Sequence, residues 1–320
     1  MQHLRERLET HQVVIYFCTI AVALGVATQV VGTQKLENAI NPALALMLFV
    51  TFLQVPLAEL GQAFSRVRFL AALLSTNFVM MPLLVAVLIQ FLPADPLLQL
   101  GVLLVLLTPC IDYVVTFAHL GRADARVLLA ATPTLLVMQM VLLPVYLRFF
   151  LGDAAMGLVQ LGPFVHAFVW LIAVPLVLAA VVQLWAARSP AGLRVSGVLG
   201  LLPVPATALV LFIVIVPVVP QLGSAVDVAL SVVPVYIAFA LIAPLLGWGV
   251  GRAFRLDEPA SRSVAFSAGT RNSLVVLPLA LVVPGAIPIL PAIIVTQTLV
   301  ELVAELVYVR LLAQLDKRKN

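Results

Sequence analysis

The stretch LLTPCIDYVV, residues 106–115, decides how this chain is read. It lies inside a long apolar run, yet it places Pro109, Cys110 and Asp112 almost side by side. A second stretch, FSAGTRNSLV at 266–275, sets Gly269, Arg271 and Asn272 in the same kind of surroundings. Charged side chains within a hydrocarbon layer are rare, and they mark sites where ions or solutes pass. Proline lacks an N–H and clashes with the preceding turn, while glycine tolerates unwound backbone. Both stretches therefore read as interrupted membrane spans that carry polar groups at the interruption.

Composition agrees with that reading. Hydrophobic residues make up 63% of the 320 residues and charged residues only 10%, against about 25% charged in soluble domains. Mean hydropathy is +1.17. The chain reads as an all-α polytopic membrane protein, because a hydrocarbon core about 30 Å thick needs about 20 apolar residues per helix. Little sequence remains for a soluble catalytic domain. The net charge of +4 is scattered through short loops, so a nucleic-acid partner is not expected. Cys18 and Cys110 both lie in apolar segments, which argues against a disulfide framework. The polar start, MQHLRERLETHQ, has no small-residue cleavage site after it and reads as a cytoplasmic cap.

Apolar runs between polar breaks give ten expected spans, at 13–31, 41–60, 69–92, 97–119, 125–150, 160–187, 198–221, 226–252, 259–283 and 286–313. With the N-terminus inside, 15 of the 18 basic residues fall on the inner side; Lys35 and Arg148 lie outside and Arg271 within the ninth span. The excess of positive charge on inner loops places both termini in the cytoplasm, in a multi-pass protein of the plasma (inner) membrane.

An internal comparison divides the chain. PALALMLF at 42–49 matches PATALVLF at 205–212 in six of eight positions, an offset of 163. MPLL at 81–84 returns as APLL at 243–246, and Thr108 falls on Thr270, both at an offset of 162. The expected organisation is a short cytoplasmic N-terminus at 1–12, a five-helix repeat at 13–151, a second at 160–313 and a cytoplasmic tail at 314–320. Because five is odd, the second copy is inverted, the design of many secondary transporters, whose sites lie at paired broken helices. The expected site then joins Asp112, about 12 Å deep at 1.5 Å per residue, to Arg271, about 18 Å deep.

Around these two stand Thr108, Tyr113, Thr116, Ser267, Thr270, Asn272 and Ser273, whose hydroxyl and amide groups suit either freed backbone or a solute. Cys110 offers a soft thiolate ligand for a metalloid, although lone buried cysteines are more often small hydrophobes. Glu301 and Glu305, spaced i,i+4, share one face of the tenth span. They are read as proton carriers alongside Asp112, with counter-ions for Arg271 or a cytoplasmic vestibule as the alternatives. His166 is the one histidine expected inside a span, and H-E-x-x-H and G-x-S-x-G patterns are missing, so the chain is not read as an enzyme and no cofactor is implied.

The segment CIDYVVTFAHLGRAD, 110–124, resembles the fourth span and following loop of yeast-type arsenite efflux permeases. SAGTRNS, 267–273, resembles the ninth-span crossover of the bile acid:sodium symporter superfamily, where a Gly is followed two positions later by Gln-Asn-Ser. The resemblance covers essentially the whole chain. It implies a panel domain and a core domain, crossed discontinuous helices four and nine in the core, and alternating access. It also exposes departures. The sodium-holding Glu and Gln of the superfamily would fall on Ser267 and Arg271, and further ligands on Asp112, Tyr113, Arg126 and Ala130, so sodium coupling is not expected. The arsenite permeases' ninth-span Glu would fall on Leu274.

The function expected from the residues and the resemblance is a secondary transporter that exports arsenite or a related metalloid oxyanion. The alternative is a small organic anion held by Arg271, whose guanidinium matches a carboxylate bidentately. The expected partners are that small solute and the lipid bilayer, and a homo-oligomer is compatible with both readings.

Overall fold

The computed structural model describes residues 2–29, 32–54, 66–111, 113–152, 161–221 and 225–314. Asp112 lies outside the described residues. Helix dominates: α1 is Gln2–Gln29, α2 Glu37–Phe52, α3 Val67–Phe91, α4 Pro96–Leu106, α5 Val114–Leu120 and α6 Ala125–Leu151. Then come α7 Val165–Arg188, α8 Pro190–Leu199, α9 Pro203–Val218, α10 Ala225–Ala253, α11 Glu258–Gly269, α12 Ser273–Leu281 and α13 Ile289–Gln314. Among the described residues there is no strand, and Pro109 with Arg271 forms an isolated antiparallel bridge.

Among the described residues six helices, α1, α3, α6, α7, α10 and α13, are long and apolar enough to cross a bilayer alone, and α8 with α9 passes the same test as a pair bent by 41°. The expected spans at 41–60, 97–119 and 259–283 hold shorter or broken helices instead. Large apolar side chains stand outward along α7, among them Val177, Val181, Leu184 and Trp185. A face of that kind is unfavourable in water and at home against lipid tails. The chain is an integral membrane protein.

Two compact units form, and each draws on both halves of the sequence. The first combines Met1–Gln54, Val159–Val226 and Leu277–Ala292; in it α1 and α2 pack on α9, and α7 packs on α2 and α8. The second combines Val55–Leu158, Asp227–Val276 and Ile293–Asn320. It holds the site.

Local chemistry sets the ends of the second unit's helices. Asp95 accepts from Leu97 N at 2.8 Å and Leu98 N at 3.1 Å, with Pro96 opening α4. Asp257 accepts from Ala260 N at 3.0 Å at the start of α11. Both are side-chain caps that satisfy amides left over at a helix start. On α10, a Cβ on Gly247 would stand 2.6 Å from Ala268 Cβ, and one on Gly251 would stand 2.9 Å from Ser261 Cα. Small residues thus let α10 and α11 approach closely, as helices associating in lipid require.

Two prolines are met by specific partners. Pro82 in α3 has no N–H for the Phe78 carbonyl one turn back, and Tyr146 of α6 donates its hydroxyl to that oxygen at 2.6 Å. Pro244 in α10 frees the Ala240 carbonyl in the same way, and Tyr308 of α13 donates to it. Prolines, carbonyls and tyrosines all recur at a spacing of 162.

Candidate functional site

α4 ends at Leu106 and α5 starts at Val114, while α11 ends at Gly269 and α12 starts at Ser273. Neither stretch runs helical from end to end. The two breaks meet each other through a reciprocal pair of backbone bonds, Cys110 N to Thr270 O at 3.1 Å and Asn272 N to Thr108 O at 2.8 Å. Amides and carbonyls released by breaking two helices thereby satisfy one another, as backbone buried away from water must be. Thr108 Oγ1 donates back to Leu104 O at 2.9 Å and Thr270 Oγ1 approaches Phe266 O at 2.6 Å, each four residues upstream. Every partner in one break has its counterpart in the other at the spacing of 162.

Arg271 occupies this junction, wholly buried. Its Nη2 donates to Ser267 O at 2.5 Å, Ala268 O at 2.7 Å and Asn77 Oδ1 at 2.9 Å, sharing two hydrogens among three acceptors. Nη1 reaches Leu106 O at 3.3 Å. The Phe239 ring centroid lies 5.4 Å from Cζ, a distance for cation–π attraction. Three of the four acceptors are carbonyls at the C-terminal ends of α4 and α11, where helix dipoles leave partial negative charge. The guanidinium thus sits in a cage of neutral oxygens, and among the described residues it makes no ion pair. Its Nε is buried without a partner among the described residues.

The acids of α13 serve the backbone side of the junction. Glu301 Oε2 accepts from the Arg271 amide at 2.7 Å and from Gln297 Nε2 at 2.5 Å, and Tyr113 donates to Oε1 at 2.5 Å. Ser273 donates to Gln297 in turn. Glu305 Oε1 lies 2.5 Å from Thr270 Oγ1, and its Oε2 has no partner. Thr270 owns one hydroxyl proton but contacts two oxygens, Phe266 O and Glu305 Oε1. A carbonyl brings no proton, so when Thr270 donates to Phe266 the second contact needs a proton on Glu305. Both carboxyls are buried; Glu301 accepts from the backbone amide of Arg271 and lies within Coulombic range of its guanidinium.

Of the residues singled out in the sequence, Thr108, Cys110, Tyr113, Ser267, Thr270, Arg271, Asn272, Ser273, Glu301 and Glu305 come together here. Cys110 is wholly buried and within Coulombic range of Arg271. Thr116 is half-buried on α5. The expected Asp112–Arg271 pair falls on a residue outside the described set. Sequence reasoning missed Asn77, Gln297, Phe239, Tyr146 and Tyr308. Asn77 had a signal, a lone amide in an apolar run that turns as π-helix over Thr76–Met80, a distortion often found at functional sites.

A cavity of about 10 Å³ lies beside the junction, lined by Leu106, Tyr236, Phe239, Gly269, Gln297 and Glu301. That is room for about one water molecule.

The model of the sodium bile acid symporter family matches residues 41–228, more than half of the chain. The chain belongs to that family. Its members are membrane transporters rather than enzymes, in keeping with a buried polar junction inside an apolar helical unit. No curated protein matches the chain.

Proposed function

We propose that this family member is a secondary transporter that works by alternating access without sodium and exports arsenite or a related trivalent metalloid. The observation that carries the proposal is the oxygen cage around Arg271. Four neutral oxygens converging on one buried positive charge is the donor set that suits a hard cation such as sodium; here a tethered guanidinium takes that role, so the junction keeps its positive charge with no ion from solution. Cys110, buried on the opposite break within Coulombic range of the same charge, supplies the soft sulfur that a trivalent metalloid prefers. Glu301 or Glu305 carries the coupling proton in this scheme, and the proton count at Thr270 favours Glu305. Ten spans in two inverted five-helix repeats, with both termini cytoplasmic, complete the proposal. Its support is the repetition, at one spacing of 162, of the caps Asp95 and Asp257, the Pro–Tyr pairs and the two breaks.

A second reading, transport of a small organic anion, is favoured by the buried unpartnered Nε of Arg271. Bidentate grip on a carboxylate needs two parallel N–H groups; Nη1 and Nη2 already bond to protein oxygens, so this reading requires the cage to open. Counterflow of labelled substrate in proteoliposomes separates the two. Exchange of arsenite should proceed equally in sodium and choline chloride, and Cys110→Ser should abolish it. Arsenite exchange that survives in the serine variant refutes the thiol role, and exchange that needs sodium refutes the tethered-cation role.

A further inference from the structure

We infer that a groove at the membrane-surface end of the second unit binds a phosphate anion, presented by the headgroup of an acidic phospholipid. The groove has a volume of about 400 Å³ and is lined by Arg66, Arg68, Arg255 and Asp257 together with Val67 and Phe69. That size lies in the usual range for small-molecule sites, about 300–1,000 Å³. Arg66 and Val67 stand where α3 begins and Arg255 follows the end of α10, so the groove belongs to the ends of two apolar spans.

Its charge is mostly uncommitted. Arg66 pairs with Asp124 at 3.1 Å, and the Asp257 carboxylate is engaged in capping α11. The side chains of Arg68 and Arg255, both exposed, have no hydrogen-bond or ion-pair partner among the described residues. Basic pockets between spans at a membrane surface recognise acidic headgroups. Val67, 68% exposed beside these arginines, offers the apolar shelf that an acyl chain uses and a free phosphate does not.

Arg255 also sits at a distinctive backbone position. α10 ends with Leu256 N bonded to Gly251 O and Arg255 N bonded to Arg252 O, both at 3.0 Å. This doubly bonded ending puts Arg255 at φ +54°, where glycine is the usual residue because a Cβ is strained there. Arg122, at φ +57°, ends α5 in the same way, but its carbonyl is taken by Arg262 Nη1 at 3.2 Å. Surface charge alone could be met at any neighbouring position. The strained position therefore offers a variant, glycine, that removes the charge without disturbing the helix end.

Retention of phosphatidylglycerol and of phosphatidylcholine by the purified full chain, read by native mass spectrometry, tests the site, with thermal midpoints in detergent measured with and without inorganic phosphate. The wild type should retain phosphatidylglycerol selectively. Arg68→Gln should weaken that retention about fivefold, the effect of one basic residue at a lipid surface. Arg255→Gly should weaken it as much while raising the thermal midpoint, because the strained position is relieved. Stabilisation by inorganic phosphate, lost in both variants, would support the groove with a soluble source of the anion. Equal retention of both lipids together with no phosphate effect, or selectivity that survives in both variants, overturns the inference.

Discussion

Tyr308→Phe removes one oxygen from α13 and tests the logic by which this protein tolerates proline in its core. The Ala240 carbonyl has lost its helical donor to Pro244, and the Tyr308 hydroxyl takes the donor's place. Deleting that hydroxyl leaves a buried carbonyl unbonded, at a cost of about 1–3 kcal/mol. For a unit of this size each kcal/mol lowers the thermal midpoint by about 2–4 °C, so the shift is roughly 2–12 °C. The magnitude alone does not identify the cause, since any buried truncation destabilises. Pro244→Ala separates the causes: alanine restores an N–H one turn beyond Ala240, so the tyrosine becomes redundant for that carbonyl. In the Pro244→Ala background Tyr308→Phe should be close to neutral, with a coupling in the range of about 0.5–3 kcal/mol. Whatever packing is lost with the proline ring enters both arms and cancels. Thermal midpoints of the four proteins in one detergent supply the cycle, and Tyr146→Phe with Pro82→Ala supplies an independent repeat of it. Equal destabilisation by Tyr308→Phe in both backgrounds would refute the reasoning.

Three further outcomes are expected. Gly269→Ala places a Cβ 2.9 Å from both Pro244 Cγ and Tyr308 Cε2; the crowding should cost about 1–3 kcal/mol and lower the midpoint, and an unchanged midpoint would show the junction to be looser than described. Asn77→Leu deletes the side-chain acceptor 2.9 Å from Arg271 Nη2; losing a hydrogen bond to a charged group should cost about 1.5–3 kcal/mol, measurable by thermal melting, with an effect near zero counting against a role for Asn77. Glu305→Gln keeps the size of the side chain but cannot gain and lose a proton; in proteoliposomes it should abolish uptake driven by a pH gradient and leave counterflow at equal pH. Loss of both together would assign Glu305 a structural role.

Much of the architecture was legible in the chain itself. Thr108-Pro109 and Gly269 announced the two breaks, because a missing N–H and a missing Cβ act within one turn whatever surrounds them. The spacing of 162 pairs Thr108 with Thr270, the two residues whose carbonyls are exchanged between the breaks, and the polar residues around Arg271 were readable as an oddity in an apolar run. Boundaries were less so: the run expected at 97–119 divides into α4 and α5 and the run expected at 259–283 into α11 and α12, shorter than any hydropathy window.

What holds Arg271 was a different matter. A carboxylate partner is the natural expectation for a buried cation, since an opposite charge is the acceptor most visible in a sequence. Among the described residues the guanidinium meets the Leu106, Ser267 and Ala268 carbonyls and the Asn77 amide, and Asp112, the carboxylate expected beside it, lies outside those residues. Hydropathy, proline and glycine thus determined, from the chain alone, which segments are apolar and where two of them are interrupted, for these are properties of single residues and short windows. Only the tertiary structure decided which oxygens face the charge. Every residue carries a carbonyl, and sequence cannot tell which ones a broken helix leaves free and aims at the same point.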